Sequence, residues 1–111
     1  MGIDRAGLVR TFLDHTKERI GRMEEALIAL QGTPDYPDLV DGIRRDARAI
    51  ETNAFALGLT DLAEIAAAIE ELVGCLPEVG PDLTSIAAIR LRSGTGMLRE
   101  KVAAALAAVG T

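Results

Sequence analysis

Apolar residues return every third or fourth position along four stretches of this chain, the spacing that gathers them on one face of an α-helix. In the first stretch Leu8, Val9, Phe12, Leu13, Thr16, Ile20, Met23, Leu27 and Leu30 form one stripe running from about residue 4 to residue 30. Asp4 stands where an N-cap belongs, Gly32 where a helix-ending glycine belongs, and Thr33-Pro34 turns the chain. In the second, Leu39, Val40, Ile43, Ala47, Ile50, Ala54 and Leu57 share a face that Gly58 ends. Asp35 is its candidate cap, and Pro37 is tolerated in its first turn. Gly42 lies inside this helix at a cost of about 1 kcal/mol relative to alanine, so close contact with a neighbouring helix is expected there.

The third stretch opens with Thr60 as cap and Asp61 at the positive end of the helix. Leu62, Ile65, Ala66, Ile69, Leu72 and Val73 make its stripe, before Gly74, Pro77, Gly80 and Pro81 mark an irregular connection. The fourth, capped by Asp82 and reaching about Val109, is less regular. Arg90 and Lys101 interrupt a stripe through Ile86, Ala87, Met97 and Ala104, and Gly94-Thr95-Gly96 is expected to kink or divide the helix. Four one-faced helices with short connections bury their stripes together as an all-α, up-down-up-down four-helix bundle, here a single domain over 1–111. Its expected core is Phe12, Ile20, Met23, Leu27, Ile43, Ile50, Leu57, Ile65, Ile69 and Val73.

Composition narrows the class. Only 3% of the 111 residues are aromatic while 49% are hydrophobic, so alanine and leucine carry the core and helices must pack closely. The single Cys75 forms no internal disulfide, which makes a reducing, cytoplasmic setting the expectation. No apolar run reaches the ~20 residues of a membrane span, and the N-terminus lacks a signal-peptide pattern. A net charge of −5 argues against nucleic acid as a partner.

Chemistry is scarce. One histidine and one cysteine do not supply a zinc site, and position 12, three before His15, is Phe rather than the Glu of a di-iron bundle. Gly94-Thr95-Gly96 lacks the Lys-Ser/Thr of a phosphate-binding loop, and Cys75 has no histidine neighbour to activate it. His15, on the boundary of the first stripe, is the one side chain with a nucleophilic or proton-transfer role open to it. No metal, no cofactor and no enzymatic activity is expected. The far side of the second helix is different: Arg44, Arg45, Arg48, Thr52 and Phe55 project away from its apolar face. A solvated face with weak pairing such as Asp41 to Arg45 is one reading; a partner site built on arginine and an aromatic ring is the other.

The segment Phe12-Leu13-Asp14 leading into Arg22 to Leu30 resembles the opening helix of a histidine-containing phosphotransfer (HPt) domain, as found at the amino terminus of chemotaxis-type kinases. The second helix of that family carries Ala-His-x-Leu/Ile-Lys-Gly-x-Ala-x-x-Leu/Phe-Gly. Here the frame reads Ala47-Arg48-Ala49-Ile50-Glu51-Thr52-Asn53-Ala54-Phe55-Ala56-Leu57-Gly58, and Ala47, Ile50, Ala54, Leu57 and Gly58 agree. Leu62 to Leu72 is similar to the family's third helix. The departures are chemical: Arg48 takes the slot of the phosphorylated histidine, Glu51 that of the assisting lysine, and Thr52 that of a small residue. The resemblance thus implies a cytoplasmic two-component signalling domain that docks a receiver domain or histidine kinase without accepting phosphate. Its partner site would be Arg44, Arg45, Arg48, Glu51, Thr52 and Phe55. The competing expectations are an active phosphotransfer protein that uses His15 and a helical module whose role is self-association.

Overall fold

A computed structural model describes residues 4–29, 36–75 and 81–110, with side chains for all of these except 36, 37, 75, 81–88 and 110. Four helices account for almost all of it: α1 (Arg5–Ala29), α2 (Tyr36–Ala56), α3 (Thr60–Cys75) and α4 (Pro81–Gly110). No strand occurs among the described residues. Leu30, Gly32, Thr33, Pro34, Asp35, Pro77 and Gly80 lie outside them.

Each helix packs on its neighbours in sequence, and α4 returns to α1, so the four close a ring. Contacts between partners fix the directions. The Arg5 guanidinium near the start of α1 donates to the carbonyl of Leu57 just past the end of α2, while Arg19 reaches Asp46 midway along. Lys101 late in α4 approaches Asp61 early in α3 at 3.9 Å, and Arg99 pairs with Glu24 of α1. Neighbours therefore run antiparallel in an up-down-up-down bundle, 53 Å long and 20 Å across.

The core follows the stripes of α1 to α3. Ile20, Met23, Leu27, Ile43, Ile50, Ile69 and Val73 are buried as the spacing predicts, while Phe12, Leu57 and Ile65 sit half-buried at the margins. Leu8, at the top of the α1 stripe, is largely exposed. Two buried threonines are satisfied within their own helices: Thr16 Oγ1 donates to the Phe12 carbonyl at 2.8 Å and Thr95 Oγ1 to that of Arg92 at 2.9 Å.

Helix α4 departs from expectation. It is one continuous helix across Gly94-Thr95-Gly96, and it buries Leu91, Thr95, Leu98 and Val102. Met97 and Ala104, assigned to the stripe from sequence, are exposed; Ile86 and Ala87 lie outside the described side chains. Gly94 shows why the helix needs no break. A Cβ there would lie 3.1 Å from Cγ1 of Ile69, so the glycine lets α4 approach α3 closely. That is the role expected of Gly42, around which no atom lies within 4 Å of a Cβ position.

Two caps also move. The Ala63 amide donates to the Leu59 carbonyl at 3.1 Å, which makes Leu59 the N-cap of α3 and Thr60 its first helical residue. Helix α4 starts at Pro81, so Asp82 falls in the first turn, where proline's fixed φ suits the leading position. Asp4 keeps its place, its carbonyl accepting from the Leu8 amide at 3.0 Å.

The end of α2 is closed from both sides. Gly58 has φ +76°, the Leu59 amide donates to the Ala54 carbonyl at 2.8 Å, and the Gly58 amide to that of Phe55 at 3.1 Å. These are the paired bonds of a Schellman ending. Arg5 then satisfies the Leu57 carbonyl and places a cation at the negative end of the helix. Replacing Gly58 by alanine forces a side chain into left-handed backbone and should cost about 1–2 kcal/mol, read as a lower urea midpoint with unchanged slope.

Candidate docking face of helix α2

Helix α2 presents its polar residues over a wide arc, and the bundle divides that arc between two grooves. Asp46, Arg45 and Gly42 border α1, whereas Glu51 and Phe55 border α3. Of the six residues singled out from sequence, Arg45 borders the α1 groove, while Arg48, Glu51 and Phe55 lie towards α3. Arg44, Arg45, Arg48, Thr52 and Phe55 are all exposed, as expected, while Glu51 is half-buried.

Phe55 is 73% exposed. It lines a shallow apolar groove with Ala63 and Ala67 of α3, whose rim carries Glu51 and Glu64. A ring so exposed contributes little to folding and much to a partner that covers it. Arg48 Nε stands 3.5 Å from Glu70 Oε1 of α3, with the arginine side chain still 72% exposed. An ion pair this open to water stabilises by about 0–1 kcal/mol at most, so Arg48 remains free to turn towards another anion. Arg44 and Arg45 make no ion pair among the described residues, and the Asp41–Arg45 pairing does not form.

The seam towards α1 holds a cluster that sequence reasoning missed. Asp46 is 9% exposed and accepts from Arg19 Nη1 at 3.0 Å, from Arg22 Nη2 at 3.1 Å and from Arg22 Nε at 3.4 Å. The Arg22 contact is two-pronged, and hydrogen bonding to Asp46 together with its charge raises the Arg22 pKa. The signal lay in Arg19 and Arg22, three apart beside the α1 stripe, and in Asp46 bordering the α2 stripe. Only the helix order says that these flanks meet.

His15 is exposed and lines a further α1–α2 groove with Phe12, Asn53 and Leu57. Among the described residues no carboxylate lines that groove. Among the described residues no group of three or more His, Cys, Asp and Glu is placed to hold a metal ion, and no helix is long and apolar enough to cross a membrane. The Cys75 side chain lies outside the described residues. No family of known proteins, no curated protein and no solved structure matches this chain.

The charged groups this face exposes are chiefly guanidinium groups. A guanidinium stays protonated at any relevant pH and offers no lone pair to phosphorus.

Proposed function

We propose that this chain is a non-catalytic, HPt-like signalling domain that binds a receiver domain or a histidine kinase of a two-component pathway without taking up phosphate. The observation that carries the reading is the pairing of Arg48, in the slot of the family's phosphorylated histidine, with a Phe55 left 73% exposed on the same side of α2. The antiparallel four-helix architecture is compatible with it. Arginine and aromatic side chains are the groups that most often dominate binding energy, and a receiver's acidic phosphorylation pocket suits a fixed cation.

Titration of receiver domains and kinase fragments from the same cell tests it. Phe55→Ala should weaken binding at least about tenfold, chiefly through faster dissociation, because a desolvated aromatic anchor is lost. Arg48→Ala should act on association rate and salt dependence. Raising salt from roughly 0.05 to 0.5 M should weaken the complex markedly. Equal affinities for wild type and both variants, with no response to salt, would place the interface elsewhere.

Self-association has its own supporting observation, since Ile89 and Met97 of α4 are 65% and 52% exposed. Light scattering over a concentration series separates that role from a monomeric binding domain.

A further inference from the structure

The groove between α1 and α2 over Gly42 has features that core packing does not explain. Its walls carry Arg19, Arg22 and Arg45 against the lining carboxylates Asp38 and Asp46, with Glu18 acting on Arg22 from outside the groove, so among the described lining residues cations outnumber anions on a protein of net charge −5. Asp46 holds Arg19 and Arg22 in place, yet one N–H of Arg19 and two of Arg22 are all that it engages. Each guanidinium has five, so most of their donors stay uncommitted. Arg45 is exposed and makes no ion pair among the described residues.

The floor is the second feature. Gly42 sits in the interior of α2, where glycine lowers helix stability, and nothing lies within 4 Å of where its Cβ would be. Gly21, Gly74 and Gly96 also face open space, so the missing side chain alone decides nothing. At Gly42, however, the bared backbone lies between charged walls, beside apolar surface from Ala26 and Leu39. A glycine so placed lets another chain approach the helix axis more closely than any side chain would allow.

We propose that this groove is a docking site for a carboxylate-bearing protein segment, which lies along the α1–α2 seam with an acidic side chain over Gly42 between Arg19, Arg22 and Arg45. A single carboxylate matches Arg45, which has no ion-pair partner among the described residues, and the uncommitted donors of Arg19 and Arg22 beside it. A phosphate dianion would face Asp38 and Asp46 as well and is disfavoured by them. The apolar strip answers the aliphatic residues beside the acid, which a free anion lacks. The inference stands on this groove and does not depend on the HPt-like reading, whose residues Arg48 and Phe55 lie towards α3.

The probe is a short fluorescent peptide of alternating Glu and Leu, titrated against the full chain by anisotropy, with a Lys-for-Glu peptide as control. Gly42→Met fills the floor and Arg45→Gln removes a free guanidinium; each should weaken binding about tenfold, equivalent to about 1.4 kcal/mol. Gly42→Met should at the same time raise the melting temperature, since methionine is the better helix former, so lost binding is not lost folding. Lys17→Gln, which removes an exposed cation of α1 outside the groove, should leave the peptide's affinity unchanged. The proposal is overturned if the acidic peptide does not bind, if it binds Gly42→Met and Arg45→Gln as tightly as wild type, or if Phe55→Ala abolishes binding. Displacement of the peptide by millimolar inorganic phosphate or by a single-stranded oligonucleotide would also overturn it, assigning the groove to a small anion or to nucleic acid.

Discussion

Ile50→Ala should lower the unfolding free energy by about 2–5 kcal/mol, while Phe55→Ala, five residues on in the same helix, should leave it within about 0.5 kcal/mol of wild type. Ile50 is 0% exposed and belongs to the cluster that joins all four helices. Truncation removes three carbons from contact with their neighbours and leaves a void that close-packed helices only partly refill. Phe55 is the larger side chain, but it is 73% exposed and has little burial to lose. Urea titration of both variants, with unchanged slopes, reads the contrast directly. A cost for Phe55→Ala near that of Ile50→Ala would mean that the ring is covered in the folded protein, and the docking face would lose its anchor.

The burial half of that contrast is legible in the sequence itself. Residues 43, 47, 50 and 54 recur at helical spacing, Phe55 falls on the far side, and Gly58 closes the helix. Helix α4 was not legible in the same way. Its run of alanines packs or faces water with little difference in free energy, so the few large residues set the direction. Leu91, Leu98 and Val102 share the buried face with a threonine and a glycine, which pattern reading counts as interruptions. The glycine read as a break at 94 is in fact the contact point with Ile69, and the one read as a contact at 42 floors an open groove. Glycine's sequence signature is the same for both uses; only the neighbour's position tells them apart.

The site shows a similar division. The period of α2 directs the arginines and Phe55 away from its apolar face but leaves open whether another helix covers Phe55. The split between two grooves, the Arg48–Glu70 contact and the Arg19–Asp46–Arg22 cluster depend on which helix lies on which side. Residues on a flank rather than at the centre of a face are ambiguous from periodicity, because a small rotation of the helix moves them from solvent to seam.

On the HPt-like reading proposed above, the largest functional effect should come from restoring that family's chemistry to α2. Wild type should remain unlabelled when incubated with a phosphorylated receiver or an active histidine kinase, because Arg48 has no nucleophilic lone pair and Glu51 repels the phosphoryl group. Arg48→His supplies an imidazole on an exposed helical position, Glu51→Lys supplies a cation for the phosphoryl oxygens, and Thr52→Gly opens space beside them. Radiolabel transfer to wild type and to this triple variant, followed by acid and alkali treatment, is therefore the most direct measurement. The account predicts acid-labile, alkali-stable label on the triple variant at position 48 and none on wild type; label on wild type that His15→Ala removes would contradict it.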